Sequence, residues 1–149
     1  MKKVLLILLF FTIGCGYTPV NQSSNKNYSI TKLELDGNNQ INTIIKKNFN
    51  RYNSDKDEIN NFEIDLSSQL IKKTNSKSET GKNTNLSIKI LIDSVIFKEG
   101  KKFKILNFEE VVNYNSLDNK FELKQYENIL IKDLTQKILN EIHFFLLTN

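Results

Sequence analysis

The residue type best suited to chemistry in this sequence is a single cysteine, Cys15. It follows Gly14, which ends a short apolar run, Val4–Ile13, and two lysines precede that run. A basic start, an apolar stretch and a small residue at its end are typical of a secretory signal. Ten residues are too few to cross a bilayer, which takes about 20.

The step from Gly14 to Cys15 has the form of a lipobox, where a signal peptidase cuts before the cysteine and its thiol carries a diacylglycerol group. Thr12 stands where lipoboxes usually have Leu, three residues before the cysteine. We therefore predict a signal peptide over residues 1–14, then a lipidated Cys15 that opens a polar tether over residues 15–27. Acyl chains on Cys15, when there is more than one, hold a protein stably at a membrane.

The other residue types that carry catalysis form no recognisable set. His143 is the only histidine, so it lacks a histidine partner for a metal site, and we expect a packing or surface residue. Glu109 and Glu110 are adjacent on a predicted strand, where successive side chains point to opposite faces. The sequence has no Gly-x-Ser-x-Gly elbow. We predict a protein that is not an enzyme and that needs no cofactor or metal.

A cluster of charges surrounds the predicted turn at Glu99-Gly100. Lys98, Lys101 and Lys102 flank this turn. Such a cluster is most often the solvated tip of a hairpin. The functional alternative is contact with anionic lipid phosphates, for which clustered lysines act as point charges. The sequence leaves both interpretations open.

Composition limits the size of the protein and its partners. The chain has 149 residues and a net charge of +4, and one domain typically takes about 100–200 residues. Loss of residues 1–14 would lower the charge to +2. Arg51 is the only arginine among 21 basic residues, whereas readers of nucleic-acid bases favour arginine. We therefore predict one domain over residues 28–149 and no nucleic-acid partner.

The predicted domain begins with a strand over Tyr28–Leu35. In a regular strand Tyr28 and Ile30 would lie on one face, and Leu33 and Leu35 would lie on the other. A bulge between them would bring all four to the same face. Asp36-Gly37 is a turn signal, and Asn38 or Asn39 can cap a helix. An apolar stripe at three- and four-residue steps then predicts a helix of about thirteen residues; its members are Ile41, Ile44, Ile45, Phe49 and Tyr52.

Three strands and a long helix complete the predicted order. Alternating apolar residues place strands over residues 62–73, 86–97 and 103–114, and the apolar-free stretch 75–85 between the first two is expected to be a long hairpin loop. Asp118 or Asn119 caps a helix from about Lys120 to Leu147, with a stripe of Tyr126, Leu130, Leu134, Ile138, Ile142 and Phe145. The order β-α-β-β-β-α predicts an α+β, two-layer sandwich: two helices on one face of a four-stranded, mostly antiparallel sheet.

This order, with three stretches of sequence, resembles the LptE family of lipopolysaccharide-assembly lipoproteins in its alphaproteobacterial form. Cys15–Pro19 is similar to the Cys-Gly-(Tyr/Phe)-x-Pro opening of that family, and the strand pair joined at Lys98–Lys101 is the second stretch. The third starts at Val111–Asn115 and continues with Asp118, Phe121, Tyr126, Glu127, Leu134, Ile138, Ile142 and Leu146. The family helix is usually rich in Ala and Arg, which this helix lacks, so no basic contact residue is carried over from relatives.

The resemblance implies a lipid-anchored lipoprotein at the periplasmic face of the outer membrane. LptE-like proteins sit as a plug inside the LptD β-barrel, help that barrel assemble and assist delivery of lipopolysaccharide to the cell surface, without catalysis. Gly16, rather than Asp, favours export to the outer membrane. In this setting Lys98, Lys101 and Lys102 are the candidate contacts for lipopolysaccharide phosphates.

Three other interpretations remain open. An auxiliary lipoprotein of an ABC-type lipid-trafficking system would share the signal, the cysteine and a small α+β domain. A small periplasmic hydrolase would need convergent polar residues in a pocket. A peptidoglycan-binding or purely structural lipoprotein would bind cell-wall sacculi. Co-purification of an outer-membrane barrel, an inner-membrane transporter or sacculi would separate these interpretations.

Overall fold

The computed structural model describes residues 28–50 and 60–149. Its elements, in chain order, are β1 (Ser29–Gly37), α1 (Asn39–Phe49), β2 (Asn61–Lys77), β3 (Asn83–Lys98), β4 (Lys101–Asn115) and α2 (Lys120–Thr148). The predicted signal peptide, Cys15 and the tether lie outside the described residues. Neither α1 nor α2 is long and apolar enough to cross a membrane.

The four strands form one sheet in the order β1-β2-β3-β4. β2, β3 and β4 are antiparallel neighbours, whereas β1 runs parallel to β2. A parallel pair needs a crossover connection, and α1 lies within it. α1 contacts β1 and β2, α2 contacts β3 and β4, and the helices also contact each other. The predicted two-layer α+β fold is confirmed.

A bulge in β1 gives the sheet a continuous apolar face. Ile30 lies opposite Phe62 of β2, but the next paired residue of β1 is Lys32, so Thr31 is the extra residue. Leu33 and Leu35 then lie opposite buried residues of β2 and pack against the core. The extra residue therefore brings both parities of the strand to the helix side, which is the bulge that the sequence pattern suggested.

The core is a single layer between this face and the two helices. α1 buries Ile41, Ile45 and Phe49, in agreement with its predicted stripe; Tyr52, the last predicted member, lies outside the described residues. The buried arc of α2 differs from prediction. Its buried residues are Ile131, Thr135, Ile138, Leu139, Ile142, His143 and Leu146, because α2 packs against α1 as well as against the sheet and must bury a wider, rotated arc.

Both helices begin at an asparagine cap, as predicted. The side-chain Oδ1 of Asn38 accepts hydrogen bonds from the backbone N–H groups two and three residues later, at 3.0 and 3.2 Å. Asn119 Oδ1 does the same for α2, at 2.9 and 3.3 Å. These bonds satisfy N–H groups that have no partner within a helix.

The corner between β1 and α1 is held against β2. Gly37 has φ +92°, and a Cβ atom there would lie 2.0 Å from the carbonyl oxygen of Ser68. The N–H of Asn38 donates to Ser68 Oγ at 3.0 Å, and Ser68 Oγ donates to Asn42 Oδ1 at 2.7 Å. The crossover helix thus starts where the chain passes closest to the neighbouring strand.

The predicted long loop between β2 and β3 is wrong. Both strands continue into it, and only residues 78–82 separate them. Polar side chains bridge the strands there: Asn75 Nδ2 donates to Asn85 Oδ1 at 2.9 Å and to Asn113 Oδ1 at 3.1 Å. An antiparallel ladder uses backbone groups, so it extends without apolar residues where cross-strand side chains are compatible. Alternation of apolar residues does not detect such an extension.

His143 lies in the core and connects three elements. Its ring Nε2 donates to Asn48 Oδ1 of α1 at 2.5 Å, and its Nδ1 accepts from the hydroxyl of Tyr28, which precedes β1. The ring also packs on Phe49, 4.8 Å between centroids. Burial lowers the pKa of His143 to about 4, so the ring is neutral near pH 7, and a neutral imidazole that donates from Nε2 accepts at Nδ1. Of the two places expected for His143, packing or surface, the structure shows packing.

Gly37→Ala is expected to destabilise the fold by about 3 kcal/mol or more, because the positive φ is strained and the Ser68 backbone must move. Gly100→Ala is the matched control: Gly100 also has a positive φ, +72°, but nothing lies within 4 Å of an added Cβ. That variant should lose only about 1 kcal/mol. Urea unfolding measures both, and equal losses would contradict the close approach at Gly37.

Stability should fall as pH drops from about 6.5 to 4. The ordinary histidine pKa is about 6.5, so in this window the unfolded chain binds a proton that the folded chain does not. The free energy of unfolding therefore decreases by up to about 3 kcal/mol. His143 is the only histidine, so His143→Gln should flatten the urea midpoint between pH 7 and 5.5. A midpoint that varies equally in both proteins would assign the effect to carboxylates.

Candidate functional site

The lysines predicted as lipid contacts flank a tight hairpin between β3 and β4. Lys98 and Lys101 are the last cross-strand pair, so only Glu99 and Gly100 form the turn. Their φ angles are +54° and +72°. Positive φ at both central residues matches the twist of the flanking strands. The predicted turn at this position is confirmed.

Lys98 is committed to contacts within the domain. Its Nζ lies 5.3 Å from the ring centroid of Phe62 and 5.8 Å from that of Phe103. It also donates to the backbone carbonyl of Asn149, just after α2, at 2.8 Å. A cation at a helix C-terminus is favourable because it opposes the negative end of the helix dipole. This lysine therefore ties the end of α2 to the hairpin.

Lys101 and Lys102 are exposed at the start of β4. Lys101 pairs with Lys98, whereas Lys102 pairs with Phe97, so the two side chains start on opposite faces of the sheet. Neither lysine takes part in an ion pair with another residue of the described ranges. The hairpin therefore gathers the three predicted residues, but only Lys101 and Lys102 present charges that are not already engaged.

A second polar cluster lies at the opposite end of β4. The hydroxyl of Tyr114 donates to Glu127 Oε1 of α2 at 2.7 Å, and Lys72 Nζ of β2 contacts Glu127 Oε2 at 2.5 Å. Burial and the hydrogen bond to Glu127 raise the pKa of Tyr114. Burial alone would raise the pKa of Glu127, but the hydrogen bonds from Lys72 and Tyr114 lower it overall. The cluster links two strands to α2 as a structural contact.

The adjacent carboxylates of β4 point to opposite faces, as predicted. Glu109 pairs with Lys89 at 2.5 Å, and Glu110 pairs with Lys137 of α2 at 2.6 Å. Within residues 28–50 and 60–149, no three potential metal ligands lie together. These carboxylates act as ion-pair partners of the sheet and of α2.

Two open grooves lie beside the outermost strands. One, of about 350 Å³, lies between β1 and α1 and has both apolar residues and two lysines, Lys32 and Lys46, in its lining. The other, of about 480 Å³, lies between β4 and α2. It is mainly apolar, with Leu106 and Phe108 on the strand and Phe144 on the helix, where 70% of Phe144 is exposed.

The exposed apolar residues of β4 and α2 were not among the predicted site residues. Several large apolar side chains of this region are exposed: Phe103, Ile105, Val111, Phe121, Ile129, Phe144 and Leu147. The sequence could have indicated some of them, because Phe144 and Leu147 are large apolar residues that fall outside the predicted stripe of α2. Ile105 and Val111 likewise fall on the parity of β4 that does not face the helices. These side chains lie on both faces of β4 and at both ends of α2, so they do not form one patch.

No protein-family model and no curated protein matches the sequence. Solved structures share the fold. Rare lipoprotein B from Shewanella oneidensis is 14% identical, covers 74% of this chain and 92% of its own, and has a TM-score of 0.51. A chain described as a lipoprotein from Caulobacter crescentus is 10% identical, with coverages of 78% and 88% and a TM-score of 0.55. A minor lipoprotein from Acinetobacter baumannii is 17% identical, with coverages of 78% and 90% and a TM-score of 0.53. The chain therefore has a fold that solved lipoproteins also have.

Proposed function

We propose that the chain is a lipid-anchored lipoprotein of the outer membrane, on its periplasmic face, and that it acts as an LptE-like partner of an LptD-type barrel in lipopolysaccharide delivery. The observation that carries this proposal is the β-α-β-β-β-α fold, shared with three solved lipoproteins. The apolar run before Cys15 and the family resemblance at Tyr114 and Glu127 support it.

The surface chemistry of the sheet suits a plug inside a barrel. The face away from the helices carries paired polar side chains, such as Asn107 with Asp93 at 2.6 Å and Lys89 with Glu109 at 2.5 Å. The interior of an outer-membrane barrel is polar, and large barrels are commonly plugged. The polar pairs of this face suit such an interior, whereas Ile105 and Val111 on the same face are exposed apolar residues that contact with a barrel would cover.

The role proposed is binding rather than catalysis. The buried His143 is held between Tyr28 and Asn48, and the Tyr114–Glu127–Lys72 cluster joins elements of the domain. Each of these polar groups has a structural use. The proposed activity therefore depends on surfaces and on the anchor.

Affinity purification of the tagged, full-length protein from its native membranes in mild detergent tests the partner. We expect a stoichiometric outer-membrane barrel of the LptD type, identified by mass spectrometry. Cys15→Ser is the control for the anchor and should reduce recovery of the protein from the outer-membrane fraction. Recovery with an inner-membrane transporter would favour the ABC-type alternative, and recovery with sacculi would favour the cell-wall alternative; either result would contradict the proposal.

The lysine hairpin gives a separate test of lipid contact. Lys101→Ala with Lys102→Ala should weaken binding to lipopolysaccharide by about tenfold, because charge-assisted hydrogen bonds to phosphate are lost, and should leave the urea midpoint unchanged. Lys46→Ala with Lys47→Ala removes two exposed charges from α1 and serves as the matched control.

Lys98→Met should behave differently from the other hairpin variants. It keeps the aliphatic stem but removes the charge over two rings and the hydrogen bond to Asn149. We expect a loss of about 1 kcal/mol in the free energy of unfolding.

The outcome that would contradict lipid contact at the hairpin is equal lipopolysaccharide binding by the Lys101/Lys102 double variant and the wild type. That result would remove these two lysines from the site.

A further inference from the structure

The outer edge of β4 is the longest open edge of the sheet. β4 has 15 residues and pairs only with β3 among the strands of the described ranges. An unpaired edge presents backbone donors and acceptors that another strand can pair with. We propose that a second copy of this chain pairs with it, β4 against β4 in antiparallel orientation, on a two-fold axis at Asn107. This inference is independent of the proposed function, because such pairing needs neither a barrel nor lipid.

The symmetry of such a pair restricts the register. If the two-fold axis is perpendicular to the sheet, both copies carry their helices on the same side, and each residue lies opposite one that faces the same way. With the axis at Asn107, Asn107 of one copy lies opposite Asn107 of the other. Leu106 then lies opposite Phe108 of the other copy, and Lys104 lies opposite Glu110. Lys104 and Glu110 both lie on the helix face, since they pair with the buried Ile96 and Ile90 of β3.

Charge complementarity selects this register over its neighbours. The axis at Asn107 places Lys104 of one copy opposite Glu110 of the other twice, once on each side. Glu110 already pairs with Lys137 of its own α2 at 2.6 Å, so Lys104 would be a second cation beside this carboxylate. An axis at Leu106 would place Lys104 opposite Phe108, and an axis at Phe108 would place Glu110 opposite Leu106. An axis at Glu109 would bring two carboxylates together. Opposite charges across an antiparallel pair are stabilising and like charges are destabilising.

The apolar groove of β4 and α2 supports the same contact. Leu106 and Phe108, which would meet across the axis, also line the groove of about 480 Å³. Pairing would bring the grooves of the two copies together above these residues and cover Phe144, now 70% exposed. The interface would therefore combine backbone pairing, two ion pairs and apolar burial.

Site-directed cross-linking tests the register directly. Asn107→Cys in the full-length chain should form a disulfide-linked dimer on mild oxidation, read on a non-reducing gel, because the two thiols meet on the axis. Asn113→Cys, on the same strand, is the matched control. In this register the two copies of position 113 lie about 40 Å apart and should not cross-link. The wild type, whose only cysteine is Cys15, shows how much cross-linking arises from Cys15 alone.

A charge-exchange experiment tests the ion pairs without requiring either variant to be as stable as the wild type. In the Asn107→Cys background, Lys104→Glu and Glu110→Lys each place like charges opposite each other twice in a homodimer. Glu110→Lys also removes the ion pair with Lys137 within the chain, so the urea midpoint of each variant is measured beside its cross-linked fraction. Each should lower the cross-linked fraction by about tenfold. Mixed together, with one chain tagged, they pair every new charge with its opposite, so the mixed dimer should recover. Lys102→Glu, beyond the bulge at Phe103, should have little effect.

The cross-linking results distinguish self-pairing of β4 from its alternatives. Cross-linking at Asn107 but not at Asn113, with recovery in the mixture, supports the β4–β4 pair. A monomer at Asn107 under oxidation, equal cross-linking at both positions, or no recovery in the mixture would overturn it. Cross-linking of Asn107→Cys to a different protein would overturn self-pairing and assign this edge to that partner.

Discussion

The structure depends on one constraint: a single four-stranded sheet must bury its apolar core on the one face that two helices cover. The bulge at Thr31 meets this constraint in β1, because it turns Leu33 and Leu35 to the side on which Ile30 already lies. The close approach of Gly37 to Ser68 meets it at the crossover, because α1 can begin only where the chain turns tightly over β2. Packing on one face therefore determines backbone conformation at both places.

The polar groups inside this layer follow from the same constraint. His143 lies where the two helices and the start of β1 converge, and it is tolerated there because both ring nitrogens have partners. At the far end of β4, Glu127 is kept charged by Lys72 and Tyr114. Buried polar groups are costly unless they are hydrogen-bonded, so these networks fix how α2 lies on the sheet.

The proposed function depends on the surfaces that lie outside the core. The uncovered sheet face carries paired polar side chains together with exposed Ile105 and Val111. The β3–β4 hairpin presents Lys101 and Lys102, and a mainly apolar groove borders the β4 edge. Solved lipoproteins keep this fold at 10–17% identity. At such low identity the neighbours share the fold while most of their residues differ from those of this chain.

The sequence by itself determined the order of elements, both asparagine caps and the turn at Glu99-Gly100, because these depend on local periodicity and on residues next to one another in the chain. It also indicated the β1 bulge through a change of parity. The tertiary structure decided which arc of α2 is buried and how far the β2–β3 ladder extends around Asn75. It also decided that Lys98 donates a hydrogen bond to the carbonyl of Asn149, whereas Lys101 and Lys102 are exposed. These features depend on contacts between residues far apart in the chain, which no local pattern contains.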